Sequence, residues 1–109
     1  MLQTTIKKQD RSTKKILAIL ERHYLKNHPS AVADVYRYNS AIIRVRVVDP
    51  AFASCRWADR DAEIWHVLKD NLEEDILSQL HMLLLLAPEE LDSSIMNREF
   101  DDPRHLSNL

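Results

Sequence analysis

Glycine is absent from the chain. A phosphate-cradling loop needs glycine so that backbone N–H groups can approach the phosphate closely. A P-loop and a Rossmann fingerprint are therefore excluded, and so is the Gly-x-x-Gly loop that clamps a nucleic-acid backbone. Turns must rely on Asn, Asp, Ser and Pro instead. Cysteine is nearly absent too: Cys55 stands alone and cannot form an internal disulfide, which makes a reducing compartment the default. Long apolar runs are also missing. The densest, Met82 to Ala87, is far too short to span a bilayer, and Met1 to Lys15 has no apolar core of the kind a secretory signal needs. A cytoplasmic protein with no membrane partner is expected.

What is present fits one domain. A chain of 109 residues can bury a modest core without metal or disulfide staples. The apolar share, 45%, and the charged share, 29%, are those of a globular protein. The net charge of −2 creates no global field that would draw nucleic acid or a membrane. Charge is nevertheless uneven: Lys7, Lys8, Arg11, Lys14 and Lys15 crowd the start, and Glu89, Glu90, Asp92, Glu99, Asp101 and Asp102 crowd the end. Two solvated ends account for this pattern, and the alternative is that the ends attract each other, within or between chains.

Periodicity then divides the chain. Residues 1–11 read as a flexible basic N-terminus, 12–91 as a single α+β domain, and 92–109 as a mostly disordered acidic tail in which Ile95, Met96 and Phe100 are apolar exceptions. A helix is predicted from Ser12 to Leu25, capped by Ser12 or Thr13, with Ile16, Leu17, Leu20 and Tyr24 at helical spacing. Asn27, His28 and Pro29 end it. Ala31 to Tyr38 and Ala41 to Val48 read as strands around an Asn39-Ser40 turn. A two-residue turn there places Ala41, Ile43, Val45 and Val47 on one face with Val32, Tyr36 and Tyr38. The opposite face then carries Arg37, Arg44 and Arg46 beside Val35 and Ile42. A second helix is predicted from Ala58 to Leu68 or a little beyond. Ile76 to Ala87 fits either a helix, which leucine favours, or a strand buried on both faces. Pro88 opens a further helical turn.

No arrangement of catalytic or metal-binding residues stands out. Among His23, His28, His66, His81 and His105, no pair has the i, i+4 spacing with an intervening carboxylate that a zinc site uses. Cys55 has no base assigned to it by spacing. Asp59, Asp61 and Glu63 lie two apart, so they do not face one another on a helix. Expected catalytic residues, metal ligands and cofactors are therefore none. The arginines Arg37, Arg44 and Arg46 form the best candidate site, since guanidiniums sharing a sheet face can hold phosphate or a partner's carboxylates.

Three segments resemble the BolA family, which has a KH-like αββαβ fold. That family shows a strand ending in Val-Ser-Asp-Ala-Phe, a helix opening with Arg-His, and a last strand running into Thr-Pro-Glu-Glu-Trp. Here the corresponding segments are Val47-Val48-Asp49-Pro50-Ala51-Phe52, Asp59-Arg60-Asp61, and Leu80 to Ala87 running into Pro88-Glu89-Glu90-Leu91. The spacing from Phe52 to Asp61 agrees with the family's spacing from Phe to His, and the resemblance covers Ile16 to Leu91. It implies a small three-stranded sheet covered on one face by two helices, with Ile76–Ala87 supplying the third strand. It also adds Arg60, at the family's arginine, to Arg37, Arg44 and Arg46 as candidate partner- or anion-binding residues. The chain departs from the family where the helix histidine helps hold an iron–sulfur cluster shared with a monothiol glutaredoxin. That position is Asp61, a hard oxygen donor that suits such a cluster poorly, and a family glycine is replaced by Ser54. The fold and a habit of binding another protein carry over; cluster binding does not.

The expected function is that of a small non-enzymatic binding or adaptor module working through protein contacts, with another protein or a second copy of itself as partner. The alternative is nucleic-acid binding through the arginine-bearing sheet face, against which the missing glycines and the negative charge both weigh.

Overall fold

The structure, a computed structural model, describes residues 8–102. Four helices and three strands follow in the order α1 (Arg11–His23), β1 (Val32–Asn39), β2 (Ile42–Val48), α2 (Trp57–Asn71), α3 (Glu74–Leu77), β3 (Leu80–Leu86) and α4 (Ile95–Asp101), with 3₁₀ turns at Leu25–Asn27, Pro50–Ser54 and Pro88–Glu90. The sheet has the order β1-β2-β3, with β1 antiparallel and β3 parallel to β2. This is the expected α+β plan.

Each element has a local cause. Helix α1 begins one residue earlier than predicted because Asp10, not Ser12 or Thr13, is its cap. The Asp10 carboxylate accepts from the Thr13 N–H at 2.9 Å, and the Thr13 hydroxyl oxygen accepts from the Asp10 N–H at 2.8 Å. This reciprocal box satisfies two groups that would otherwise lack partners. Pro50 opens its 3₁₀ turn under an Asp49 cap, which accepts the Ala51 N–H at 2.9 Å.

The core lies between one sheet face and the pair α1 and α2. Ile16 and Leu20 of α1, Ile64 and Leu68 of α2, and Ile43, Val45 and Val47 of β2 are all fully buried there. Fully burying such a side chain contributes about 1.5–3 kcal/mol.

The hairpin register differs from expectation by one residue. Val35 pairs with Val45 and Tyr36 with Arg44, while Asn39 pairs with Ile42. The loop is therefore Ser40-Ala41, and Tyr38 is the extra residue of a bulge. A two-residue hairpin of type I′ needs positive φ at both central residues, and no described residue has positive φ. The chain closes the turn with Asn39 instead, whose side-chain oxygen accepts the Ala41 N–H at 2.9 Å. Because strand side chains alternate, the one-residue slip exchanges faces. Val35 joins the core, whereas Tyr36 and Tyr38 join Arg44 and Arg46.

The ambiguous segment divides in two. Ile76 and Leu77 end α3, and Leu80–Leu86 is strand β3. A bulge near its start skips His81, since Ile43 pairs with Leu80 and Arg44 with Met82. Beyond it Leu83 and Leu85 face the α1–α2 core, and Met82, Leu84 and Leu86 face the opposite side.

The chain ends also differ from the prediction. Lys8 bridges to Arg37 of β1, and the Gln9 amide donates to the Val35 carbonyl at 2.6 Å, so the ordered domain reaches back at least to Lys8. In place of a loose tail, residues 92–102 include α4, capped by Ser94 accepting the Asn97 N–H at 3.0 Å. This helix packs on the second sheet face. The tail expected over residues 103–109 and the first seven residues of the N-terminal segment lie outside the described residues. Among the described residues no helix is long and apolar enough to cross a membrane.

Candidate functional site

The second sheet face holds two of the four candidate arginines. Arg44 and Arg46 alternate with the core residues of β2 and so project together away from the core. Neither is open to solvent. Arg44 forms an ion pair with Glu99 of α4, donates to the Tyr36 hydroxyl at 3.2 Å, and stacks on the Tyr38 ring at 3.8 Å. Arg46 donates to Asn97 at 2.7 Å and Asp101 at 2.8 Å on α4, and to Asp34 of β1 at 2.9 Å. Its guanidinium also lies 4.5 Å from the centre of the Phe100 ring.

An aromatic anchor joins these pairs. Phe100 is 0% exposed and packs with Tyr36, Leu84 and Leu86, meeting Tyr36 edge-on at 4.9 Å. The Tyr36 hydroxyl donates to the Phe100 carbonyl at 3.0 Å. Burial holds the Tyr36 hydroxyl in its protonated form above the ordinary range, against the opposing pull of Arg44. The Arg44 guanidinium loses solvation by burial, but its bonds to Glu99 and Tyr36 outweigh that loss and hold its proton more firmly. One element of this face stays unsatisfied: the Arg46 Nε is buried with no hydrogen-bond partner among the described residues.

Arg37 and Arg60 lie elsewhere. The register slip puts Arg37 on the opposite face, near the start of α1. There it pairs with Asp10, donates to Gln79 at 2.8 Å, and binds the Asn39 and Ser40 carbonyls of the hairpin loop. Arg60 is buried under the start of α2, 3% exposed, and closes a corner of the fold. It donates to the carbonyls of Phe52 at 2.5 Å, Cys55 at 3.2 Å and Leu85 at 3.1 Å, and grips Glu90 through two bonds of 2.8 and 3.0 Å. The half-exposed Trp57 ring covers it at 4.0 Å. These four arginines therefore bind this chain's own groups, and only Arg44 and Arg46 share a site.

The residues that sequence reasoning missed are Asn97, Glu99 and Asp101. Asn97, Phe100 and Asp101 follow i, i+3, i+4 spacing on one side of α4, and Ser94 supplies the cap. That is a helix signal, but a seven-residue one in a polar setting.

Three other features lie apart from these arginines. Tyr24 donates to Asp49 at 2.5 Å, and His28 meets the same carboxylate oxygen at 3.1 Å while stacking on the Tyr24 ring. Burial, then the bond to Asp49, push the Tyr24 hydroxyl far above its ordinary value. On the helical side, Trp65, Lys69, Glu74, Leu77 and Ser78 line an open groove of about 510 Å3. Finally, β3 is an edge strand. Leu86 offers its carbonyl to the Asp49 N–H of the β2 side at 2.9 Å. By backbone alternation the N–H and C=O of Leu83 and Leu85 point outward. Arg60 takes the Leu85 carbonyl; among the described residues no strand pairs with this edge.

No protein-family model matches the chain, and no curated protein matches it in sequence. A solved structure does: BolA1 from Arabidopsis thaliana superposes with a TM-score of 0.50 at 14% identity, over 75% of this chain and 98% of that one. The fold is BolA-like. The resemblance drawn from the Val47–Phe52, Asp59–Asp61 and Pro88–Leu91 segments thus holds at the level of architecture, including the third strand. Within this fold Arg60 ties the strand end, the helix start and the Pro88 turn together. The donor set does not fit an iron–sulfur cluster. Asp61, at the position of the family's cluster histidine, is an exposed carboxylate, a hard oxygen donor.

Proposed function

We propose that this protein is a small non-enzymatic adaptor that binds another protein by adding a strand to the outer edge of β3. The observation that carries the reading is that edge. It is uncharged over Leu80–Leu86 except for His81, and it lacks the lysines and prolines that blunt exposed edges in folded proteins. Its only bulge lies at the start, which leaves Met82 to Leu86 regular. An extended segment of a partner would gain main-chain hydrogen bonds from Leu83, the outward residue whose carbonyl Arg60 does not take, as in other cases of strand addition. The BolA-like fold supports a binding role by analogy of architecture. Nucleic-acid binding has less support, because α4 covers the arginine face it would need.

Leu83→Pro tests the reading. It removes an outward N–H and leaves the ladder to β2 intact, a position where proline is tolerated. Should the smaller side chain unsettle the core, N-methylleucine at position 83, introduced by peptide ligation, keeps the packing. Proteins retained from cell extract by the parent chain and lost with either edge-blocked form are the expected result. An identical set of retained proteins, with the fold verified by circular dichroism, would rule the β3 edge out.

A further inference from the structure

We infer that the Tyr36–Arg44–Arg46 face is a receptor for a short acidic helix with an aromatic anchor, and that α4 is its exchangeable internal occupant. This site lies on the face of the sheet, apart from the β3 edge.

The chemistry of the occupant defines the chemistry of the site. An apolar floor of Tyr36, Leu84 and Leu86 takes one aromatic ring, that of Phe100. Two guanidiniums beside the floor take carboxylates, Glu99 on Arg44 and Asp101 on Arg46. The site therefore matches a ring flanked by two acids on a helical turn or two, which is the composition of an acidic amphipathic helix rather than of a nucleic acid.

Two observations mark α4 as exchangeable. At seven residues it is too short to be stably helical by itself, so its helical order and its docking are one event. Its fit is also incomplete, since the Arg46 Nε is buried without an acceptor among the described residues. A ligand in trans that supplied that acceptor would hold the site better than α4 does. It would still have to compete with a tethered occupant whose effective concentration is on the order of millimolar.

The test uses the full chain and a labelled synthetic peptide spanning residues 91–102. Phe100→Ala withdraws the internal anchor, and Glu99→Gln weakens docking without changing its shape, in case the larger truncation unfolds the chain. Fluorescence anisotropy should show the peptide binding at least tenfold more tightly to the loosened chains than to the parent. Adding Arg46→Ala to the loosened chain should remove that gain. Equal binding to parent and loosened chains, with amide exchange showing α4 released, would overturn the inference. A gain seen for a twelve-nucleotide oligothymidine and not for the peptide would also overturn it, by assigning the face to nucleic acid.

Discussion

Replacing Arg60 with alanine should destabilise the protein by about 3–5 kcal/mol, the range for removing one partner of a buried ion pair. The structure accounts for that size. The guanidinium is almost wholly buried and serves four acceptors on three segments: Phe52 and Cys55 before α2, Leu85 at the end of β3, and Glu90 in the following turn. Without it, the Leu85 carbonyl loses its charged donor, and a buried acceptor left unsatisfied costs about 1–3 kcal/mol, while the Phe52 carbonyl keeps the Cys55 N–H. Glu90 is partly exposed and regains some hydration, which keeps the total near the middle of the range. Loss of the cation–π contact with Trp57 adds about 0.5–1 kcal/mol. Arg60→Lys should recover only part of this, because an ammonium lacks the planar fork that reaches all four acceptors. Urea unfolding followed by the fluorescence of Trp57 and Trp65 measures the change. A cycle with Glu90→Gln separates the ion pair from the carbonyl bonds. A loss below about 1 kcal/mol, or strict additivity of the two substitutions, would refute the staple.

Acid should destabilise the fold by a route that the same pair explains. The bonds from Arg60 hold the Glu90 carboxyl below its ordinary value of 4.5, with the Ala87 N–H helping against burial. For Asp10, burial pulls upward, but the Thr13 N–H and Arg37 outweigh it and hold the carboxyl below 3.8. The unfolded chain therefore binds these protons more readily. The stability they contribute is present above the unfolded values and is lost as pH falls through 4.5 and 3.8 toward the folded ones. Thermal unfolding from pH 7 to pH 3 should show this decline, and Glu90→Gln should make it shallower; an unchanged slope would contradict the assignment. Tyr24→Phe should cost about 1.5–3 kcal/mol, because a charged, buried acceptor loses its hydroxyl donor and only His28 and the Ala51 N–H remain on Asp49. A change in midpoint too small to measure in urea would show that His28 and the Ala51 N–H suffice for that carboxylate.

Some of this molecule was determined by local sequence alone. The alternation of Ile43, Val45 and Val47 with Arg44 and Arg46 sufficed to find β2 and its two-sidedness, because a strand's period of two leaves no other reading of that run. The Trp57–Asn71 helix and the Pro88 turn were equally local. The absence of glycine ruled out phosphate loops. Other features depended on partners distant in the chain. Register was decided by a bulge at Tyr38, and that single residue moved Tyr36 onto the arginine face and Arg37 off it. Strand β3 was hidden from residue periodicity because it is covered on both sides, by α1 and α2 on one and by α4 on the other, so its leucines show no alternation. Its strand character was legible only through the family resemblance. Helix α4 was invisible because seven polar-rich residues have no stability of their own; Phe100 orders them only when Tyr36, Leu84 and Leu86 are already assembled. The arginines looked like an open binding surface in the sequence, where each charge is counted alone. The tertiary structure gave each of them a carboxylate from another segment, since a guanidinium carried into a low-dielectric interior requires a paired charge to stay there.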